Sequence, residues 1–241
     1  MEYKTQVRIV LAIIICALLV CGVGFYVDDY YHAQEEAIEI MQCDENMEIV
    51  VEKNSITFIP ENPKTGFIFY PGGKVEFSAY NKLLHNLAKQ DILCIVVKMP
   101  MNLAVLDIDA AKGIPSNYPE IDHWYIGGHS LGGSMAASYV AGKTDVPYDG
   151  LVLLASYSTE DLSSSNLKVM SLFGSEDKVL NNEKYNEYHE NLPASVVEIV
   201  IDGGNHAQFG NYGEQDKDGK ATISNEEQIT LTTNYLLGFM Q

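Results

Sequence analysis

The sequence predicts an α/β fold in which helices cover both faces of a mostly parallel β-sheet. Short, continuously apolar segments alternate with stretches of helical periodicity, as expected for parallel strands that are buried on both faces. The chain has 241 residues, 46% of them hydrophobic, which is enough for one well-buried core and too little for two large domains.

An antiparallel hairpin is predicted at the start of this domain, with residues 47–52 and 55–59 flanking Lys53-Asn54. The strands predicted after it are residues 66–70, 92–97, 124–127, 151–155, 169–173 and 196–201. The predicted helices are one that carries leucines 83, 84 and 87, followed by residues 103–114, 131–141, 181–191 and 225–239. Antiparallel pairing is expected only at the N-terminal edge, and functional groups are expected at the carboxyl ends of the strands.

A separate apolar segment precedes the domain. Residues 9–27 carry no charged side chain, and as a helix they would span roughly 28 Å, close to the roughly 30 Å of a hydrocarbon core. Lys4 and Arg8 come before the segment and Asp28 and Asp29 after it, so the basic flank is expected in the cytoplasm. We therefore predict that residues 1–27 anchor the chain in a membrane and that the domain is extracytoplasmic.

A cleaved signal peptide is the alternative interpretation of this segment, because Gly22-Val23-Gly24 has the small-x-small pattern of a cleavage site. The domain would then be secreted. Residues 28–46 are predicted as an acidic, partly helical stalk that either packs on the domain or serves as a spacer, and residues 47–241 form the domain itself.

Charge and cysteine content exclude several classes of function. The net charge of −18 disfavours nucleic acid as a partner, since phosphate binding requires a basic surface. Four cysteines without a C-x-x-C pair indicate neither a disulfide framework nor a cysteine metal site.

The segment Gly128-His129-Ser130-Leu131-Gly132 fits the pattern G-x-S-x-G. It follows a predicted apolar strand and opens a helix of small residues, the context that a nucleophile elbow requires. The flanking glycines allow strand and helix backbones to approach each other while the serine occupies a sharp, strained turn. Ser130 is therefore the candidate nucleophile.

A serine nucleophile needs a base, and the base needs an acid that orients it. Of the six histidines, His206 lies in a glycine-rich loop directly after the strand at 196–201, where a base is expected. Asp177 follows the strand at 169–173, and the chain order Ser, Asp, His suits this type of fold. Glu176 is the alternative acid, whereas Asp202 is disfavoured because it lies only four residues before His206.

An oxyanion hole requires two preorganised N–H donors. The backbone N–H of Leu131 is predicted as one of them. The loop Pro71-Gly72-Gly73-Lys74, after the third strand, is predicted to supply the other, from Gly73 or alternatively from Lys74.

Residues 47–241 resemble the α/β-hydrolase family, and in particular its small, single-domain members similar to dienelactone hydrolase. The stretches that carry the resemblance are Tyr70-Pro71-Gly72-Gly73, Gly128-His129-Ser130-Leu131-Gly132-Gly133, Gly174-Ser175-Glu176-Asp177 and Gly204-Asn205-His206. The resemblance implies a Ser130–Asp177–His206 triad and cofactor-free hydrolysis of an ester-like bond. Many relatives insert a cap after the sixth strand, but residues 156–167 leave no room for one, so we expect an open site without a cap domain.

An acidic segment near the C-terminus is weighed as a metal site. Residues 216–227 partly follow the spacing of an EF-hand loop, but Lys220 and Ala221 replace an oxygen ligand and the required glycine. Ser224 and Glu227 instead fit a capping box that begins the last helix. No metal site is predicted.

Two functions follow from these patterns. The first is a serine hydrolase that cleaves a small carboxylic ester or thioester through an acyl-enzyme. The alternative is a catalytically silent hydrolase-fold domain, tethered to the membrane as a binding module.

Overall fold

The computed structural model describes residues 29–42 and 47–241, together with positions 8, 11, 14, 15, 17, 22 and 24. The α/β domain comprises Tyr31–Gln241. Its described residues form an eight-stranded sheet in the order β1-β2-β4-β3-β5-β6-β7-β8. Only β1 with β2 and β2 with β4 pair antiparallel, and the other pairs are parallel, as the sequence predicted.

The strands are β1 (Glu48–Val51), β2 (Ser55–Ile59), β3 (Thr65–Tyr70), β4 (Ile92–Val97), β5 (His123–His129), β6 (Gly150–Leu154), β7 (Lys168–Gly174) and β8 (Val197–Ile201). The α-helices among the described residues of the domain are α1 (Glu35–Glu39), α2 (Asn81–Ala88), α3 (Leu131–Ala141), α4 (Asn182–Glu187) and α5 (Asn225–Met240). Residues 155–167 between β6 and β7, all of them described, form turns without a helix, so no cap domain is inserted there.

Two apolar cores lie on opposite faces of the sheet. In β3, Phe67 and Phe69 belong to one core while Ile68 and Tyr70 belong to the other, because successive strand residues point to opposite faces. The leucines of α2 and the apolar residues of α5 complete the first core, and Ala136, Ala137 and Tyr139 of α3 contribute to the second. Helices thus cover both faces, and all the parallel strands end at one edge.

Part of the predicted stalk packs on the domain. Ala37 of α1 is fully buried, and its carbonyl accepts a hydrogen bond of 3.1 Å from Asn81 Nδ2. Tyr31 forms a β-bridge with Val75, in the loop after β3. Of the two possibilities left open by the sequence, packing and spacing, residues 31–42 show packing.

The helix predicted over residues 103–114 is wrong. This segment instead forms 3₁₀ turns, Ala104–Leu106 and Ile108–Ala111. The hydroxyl of Tyr70 donates to the carbonyl of Ile108 at 2.7 Å and accepts the N–H of Ala111 at 2.9 Å. A side chain from β3 therefore occupies backbone groups that a continuous α-helix would pair internally.

The predicted helix over residues 181–191 is shorter than expected, because α4 ends at Glu187 and a 3₁₀ turn, Tyr188–Asn191, follows it. The apolar segment 9–27 lies mostly outside the described residues. Among those that are described, no helix is long and apolar enough to cross a membrane.

Candidate active site

Ser130 occupies the turn between β5 and α3 with backbone angles of φ 52° and ψ −122°. An L-residue rarely adopts this conformation, so the surrounding contacts must fix it. The N–H of Ser130 donates to the carbonyl of Leu154 at 2.9 Å, and its carbonyl accepts the hydroxyl of Ser156 at 2.7 Å. Both partners belong to β6 or to the turn just after it, so the neighbouring strand stabilises the strained serine.

The glycines on either side of Ser130 permit close backbone contacts. A Cβ atom on Gly132 would lie 2.2 Å from the backbone oxygen of Tyr70, and one on Gly128 would lie 2.6 Å from the carbonyl carbon of Gly132. Both separations are far below van der Waals contact, so no larger residue fits without a shift of the backbone. The G-x-S-x-G pattern is therefore explained by the packing of α3 against the ends of β3 and β5.

His206 and Asp177 form a buried pair beyond the ends of β8 and β7. His206 Nδ1 lies 2.8 Å from Asp177 Oδ2, and each side chain is 2% exposed. The other carboxylate oxygen, Oδ1, accepts the N–H groups of Val179 and Leu180, both at 2.8 Å. Asp177 is thus fixed by three hydrogen bonds. Because its carboxylate accepts the bond from His206, the imidazole hydrogen lies on Nδ1.

The remaining imidazole nitrogen, Nε2 of His206, is buried and has no hydrogen-bond partner among the described residues. His206 and Ser130 both line a cavity of about 220 Å³, together with Leu131, Tyr157 and Leu180. Within the described part of the chain, the structure shows no direct hydrogen bond between the Ser130 hydroxyl and His206. Such bonds are often long in ligand-free enzymes and shorten when substrate binds.

The alternative acids are placed differently. The carboxylate of Glu176 accepts a hydrogen bond from the neighbouring Ser175 hydroxyl at 3.3 Å, and Asp202 is exposed. Of the three acidic residues considered from the sequence, the structure brings Asp177 to His206.

The two residues predicted to supply the oxyanion donors are in contact. A Cβ atom on Gly73 would be 3.1 Å from Cδ2 of Leu131, so the two residues are in contact. The N–H of Gly72 donates to the Tyr80 hydroxyl at 3.0 Å, and the N–H of Lys74 donates to the carbonyl of Asn102 at 2.8 Å. In the described structure the N–H groups of Gly73 and Leu131 have no such partner, which favours Gly73 over Lys74 as the second donor.

His129 is a part of the site whose contacts the sequence did not reveal. Its ring centroid lies 4.5 Å from that of His206, and its Nδ1 is 2.9 Å from the hydroxyl of Tyr80. Since this hydroxyl already accepts the N–H of Gly72, its own hydrogen is available for Nδ1 of His129. Burial holds the pKa of His129 well below its usual value, the neighbouring His206 lowers it further, and a backbone contact with His206 acts in the opposite direction.

A neutral His129 therefore lies between Tyr80, which binds the loop before Gly73, and the ring of His206. The position of His129 next to Ser130 was the only local feature of the sequence that indicated its place in the site. The contact with Tyr80 joins residues 49 positions apart in the chain, so periodicity could not have predicted it.

A larger cavity, of about 500 Å³, lies beside the loop that carries His206. Asn205 and Ala207, on either side of His206, line it together with Gln34, Asp218 and Lys220. No group of three or more histidine, cysteine or acidic side chains suited to a metal ion occurs in the described part of the chain. Asp218 belongs to residues 216–227, the segment with partial EF-hand spacing, and its carboxylate oxygens accept hydrogen bonds from backbone N–H groups.

Comparison with known proteins agrees with this architecture. The model of the alpha/beta hydrolase family matches residues 66–230, more than half of the chain. A comparison with curated protein sequences finds no significant match.

Several solved structures share the fold. Carboxyl esterase 2 from the mycorrhizal fungus Tuber melanosporum superposes with a TM-score of 0.60 at 11% identity, over 88% of this chain and 92% of that one. Esterase 2 of Thermogutta terrifontis, in a form phosphorylated by paraoxon, gives a TM-score of 0.56 at 15% identity, over 81% and 96%. A predicted hydrolase from Thermoplasma acidophilum gives 0.56 at 15% identity, over 80% and 97%. The fold, its strand order and the family model together show that this chain belongs to the α/β-hydrolase family.

Proposed function

We propose that this protein is a serine hydrolase that cleaves carboxylic esters or thioesters, with Ser130 as nucleophile, His206 as base and Asp177 as the orienting acid. The observation that carries the proposal is the buried contact of 2.8 Å between His206 Nδ1 and Asp177, which leaves Nε2 unpartnered in a cavity shared with Ser130. A base that carries its hydrogen on Nδ1 can accept the proton of a serine hydroxyl at Nε2.

In the first half of the reaction, the Ser130 oxygen attacks the substrate carbonyl carbon while Nε2 of His206 takes the hydroxyl proton. The negative charge moves to the carbonyl oxygen, where the N–H groups of Gly73 and Leu131 stabilise it. The tetrahedral intermediate then collapses, and His206 returns the proton to the departing alcohol or thiol. Ser130 is left as an acyl-ester.

Water completes the cycle. His206 removes a proton from water, the resulting hydroxide attacks the acyl carbon, and the proton passes back to the Ser130 oxygen as the acid product leaves. Asp177 remains ionised and stabilises the imidazolium that forms in both halves. No cofactor is required by these steps.

The cavity limits the substrate. About 220 Å³ is small compared with the usual range of roughly 300–1,000 Å³ for ligand pockets. Tyr157, Val179 and Leu180 form part of its wall, and the turns of residues 155–167 do not cover it with a cap. We infer that short acyl groups are preferred.

Labelling of the full chain with a fluorophosphonate probe tests the activated serine. The wild type and Ser163→Ala, which alters an exposed serine, are expected to label, whereas Ser130→Ala and His206→Ala are not. The esterase from Thermogutta terrifontis with a similar fold was solved in a form phosphorylated by paraoxon, which makes this probe chemistry appropriate. A folded wild type that neither labels nor hydrolyses short p-nitrophenyl esters would contradict the proposal and favour a silent binding module.

We further propose that residues 9–27 anchor the protein in a membrane and that the domain is extracytoplasmic. The uncharged length of this segment and its basic N-terminal flank support the proposal. Alkaline extraction of membranes containing the full chain should leave it in the pellet, with protease access from the outer side. A mature N-terminus just after Gly24 would instead identify a cleaved signal peptide and a secreted enzyme.

A further inference from the structure

Asp218 lies outside the proposed triad, but its carboxylate contacts the loops of both the acid and the base. Oδ1 accepts the N–H of Lys178 at 3.2 Å and that of Gly219 at 2.8 Å, and Oδ2 accepts the N–H of Ala207 at 2.9 Å. Lys178 directly follows Asp177, and Ala207 directly follows His206. One side chain therefore joins the residues immediately after the acid and the base.

Gly219 makes the corresponding contacts on the preceding side. Its carbonyl accepts a hydrogen bond of 2.8 Å from Nδ2 of Asn205, the residue before His206. A Cβ atom on Gly219 would lie 1.7 Å from the backbone oxygen of Glu176, the residue before Asp177. The dipeptide Asp218-Gly219 thus contacts both loops on both sides of their functional residues.

These contacts lie beyond the last paired residues of the sheet, where the N–H of Ser175 also donates to the carbonyl of Ile201 at 3.0 Å and that of Glu176 to the carbonyl of Gly204 at 2.8 Å. The pairing of β7 with β8 ends at Gly174 and Ile201, while Asp177 and His206 come three and five residues later. The bond between their side chains requires a fixed separation of the two loops. The backbone bonds join the loops before Asp177 and His206, and Asp218 joins them after these residues. Hydrogen bonds to a carboxylate are stronger than neutral ones, so Asp218 is chemically suited to help fix that separation.

We propose that Asp218 is a positioning residue, which holds the Asp177 loop against the His206 loop and thereby keeps the imidazole in its working orientation. Its effect on turnover rests on the function proposed above. Asp218 does not line the cavity that contains Ser130, so it acts on the base and not on the substrate.

The test compares Asp218→Ala and Asp218→Asn with a matched control, Asp216→Asn. Asp216 is an exposed residue of the same loop, and within the described structure only its backbone N–H, which donates to Tyr31, forms a hydrogen bond. All measurements use the full chain. Asp218→Asn retains the size of the side chain and one acceptor oxygen, so it keeps contact with only one of the two loops.

We expect kcat of Asp218→Ala to fall roughly 10- to 100-fold, since a misplacement of 1 Å can cost about 10²-fold. Asp218→Asn should lose less, and KM should stay within about twofold in both. Asp216→Asn should leave kcat and KM unchanged within about twofold.

A second measurement does not depend on turnover. The proton between His206 Nδ1 and Asp177 is shielded from solvent by burial, so proton NMR can observe it downfield, with assignment from His206→Ala. Asp218→Asn should weaken or shift this resonance, and Asp216→Asn should not. If the wild type cleaves no ester while Asp218→Asn still loses the resonance, the positioning role stands and the proposed function fails. If both Asp218 variants keep the resonance and a kcat within twofold of the control, the positioning role is refuted.

Discussion

Replacement of Asp177 by asparagine tests the acid–base pair most directly, because the structure determines which way the new amide must face. The N–H groups of Val179 and Leu180 both point at Oδ1 from 2.8 Å. Turning the amide NH₂ towards them would leave two backbone donors unpaired, one partly buried and one buried, at about 1–3 kcal/mol each. The amide oxygen therefore stays with these donors, and the NH₂ group faces Nδ1 of His206.

This orientation reverses the hydrogen bond to the base. Nδ1 must accept a hydrogen from the amide, so the imidazole hydrogen moves to Nε2, which can then no longer take the proton of Ser130. An asparagine at this position of a serine triad lowers kcat by a factor of about 10⁴, equivalent to roughly 5.4 kcal/mol. We expect a loss of this order for Asp177→Asn, while the protein remains folded.

The assay is kcat for a short p-nitrophenyl ester at neutral pH, with thermal unfolding as the check on folding. Glu176→Gln is the matched control, since it makes the same chemical change in the adjacent residue, and its kcat should stay within about threefold of the wild type. The assignment is refuted if Asp177→Asn keeps more than a tenth of the wild-type kcat, or if Glu176→Gln loses as much.

Three further predictions concern the framework of the site. Tyr80→Phe removes the partner of both the Gly72 N–H and His129 Nδ1, so urea unfolding should show a loss of roughly 2–6 kcal/mol, and a loss below about 1 kcal/mol would contradict the network. Because the pKa of His129 is lowered in the folded state, the unfolded chain alone gains this proton below about pH 6.5, and stability falls as the pH drops. His129→Asn should remove up to about 1.4 kcal/mol per pH unit of that loss below pH 6.5. The free energy of unfolding is measured with urea at pH 7, 6 and 5. If its dependence on pH is the same in His129→Asn and the wild type, His129 does not contribute. Gly132→Ala would place a Cβ atom 2.2 Å from the backbone oxygen of Tyr70, so we expect nearly complete loss of activity and a lower Tm. Gly238→Ala is the control, because its Cβ atom would have nothing within 4 Å. It should keep activity and gain up to about 1 kcal/mol of stability.

Strands were predictable from the sequence because burial on both faces makes them continuously apolar. The segments 151–155 and 169–173 differ from β6 and β7 by one residue at each end. The turn that carries Ser130 was equally predictable, since Gly128 and Gly132 are required by backbone contacts that are too close for a Cβ atom. In both cases the cause lies within a few residues of the signal.

The helix predicted over residues 103–114 is wrong for the opposite reason, because the cause lies far away in the chain. Its apolar spacing suits a helix, but the hydroxyl of Tyr70, more than thirty residues earlier, binds Ile108 and Ala111 and divides it into short turns. Tertiary hydrogen bonds of this kind override local periodicity. The same holds for Asp218, whose partners Lys178 and Ala207 lie 40 and 11 residues away.

The way in which polar groups are paired explains why this edge of the sheet can carry chemistry. The N–H groups of Gly72 and Lys74 donate to acceptors within the protein, and Nδ1 of His206 is hydrogen-bonded to Asp177. Within the described structure, the N–H groups of Gly73 and Leu131 have no hydrogen-bond partner, and the buried Nε2 atoms of His206 and His129 have none either. Buried polar groups in folded proteins are normally paired, so the unpaired Nε2 atom of His206 beside the strained Ser130 turn represents a cost in stability. A substrate carbonyl would accept hydrogen bonds from the two N–H groups, and Nε2 would accept the serine proton, so the groups left open here are those that an acyl transfer requires.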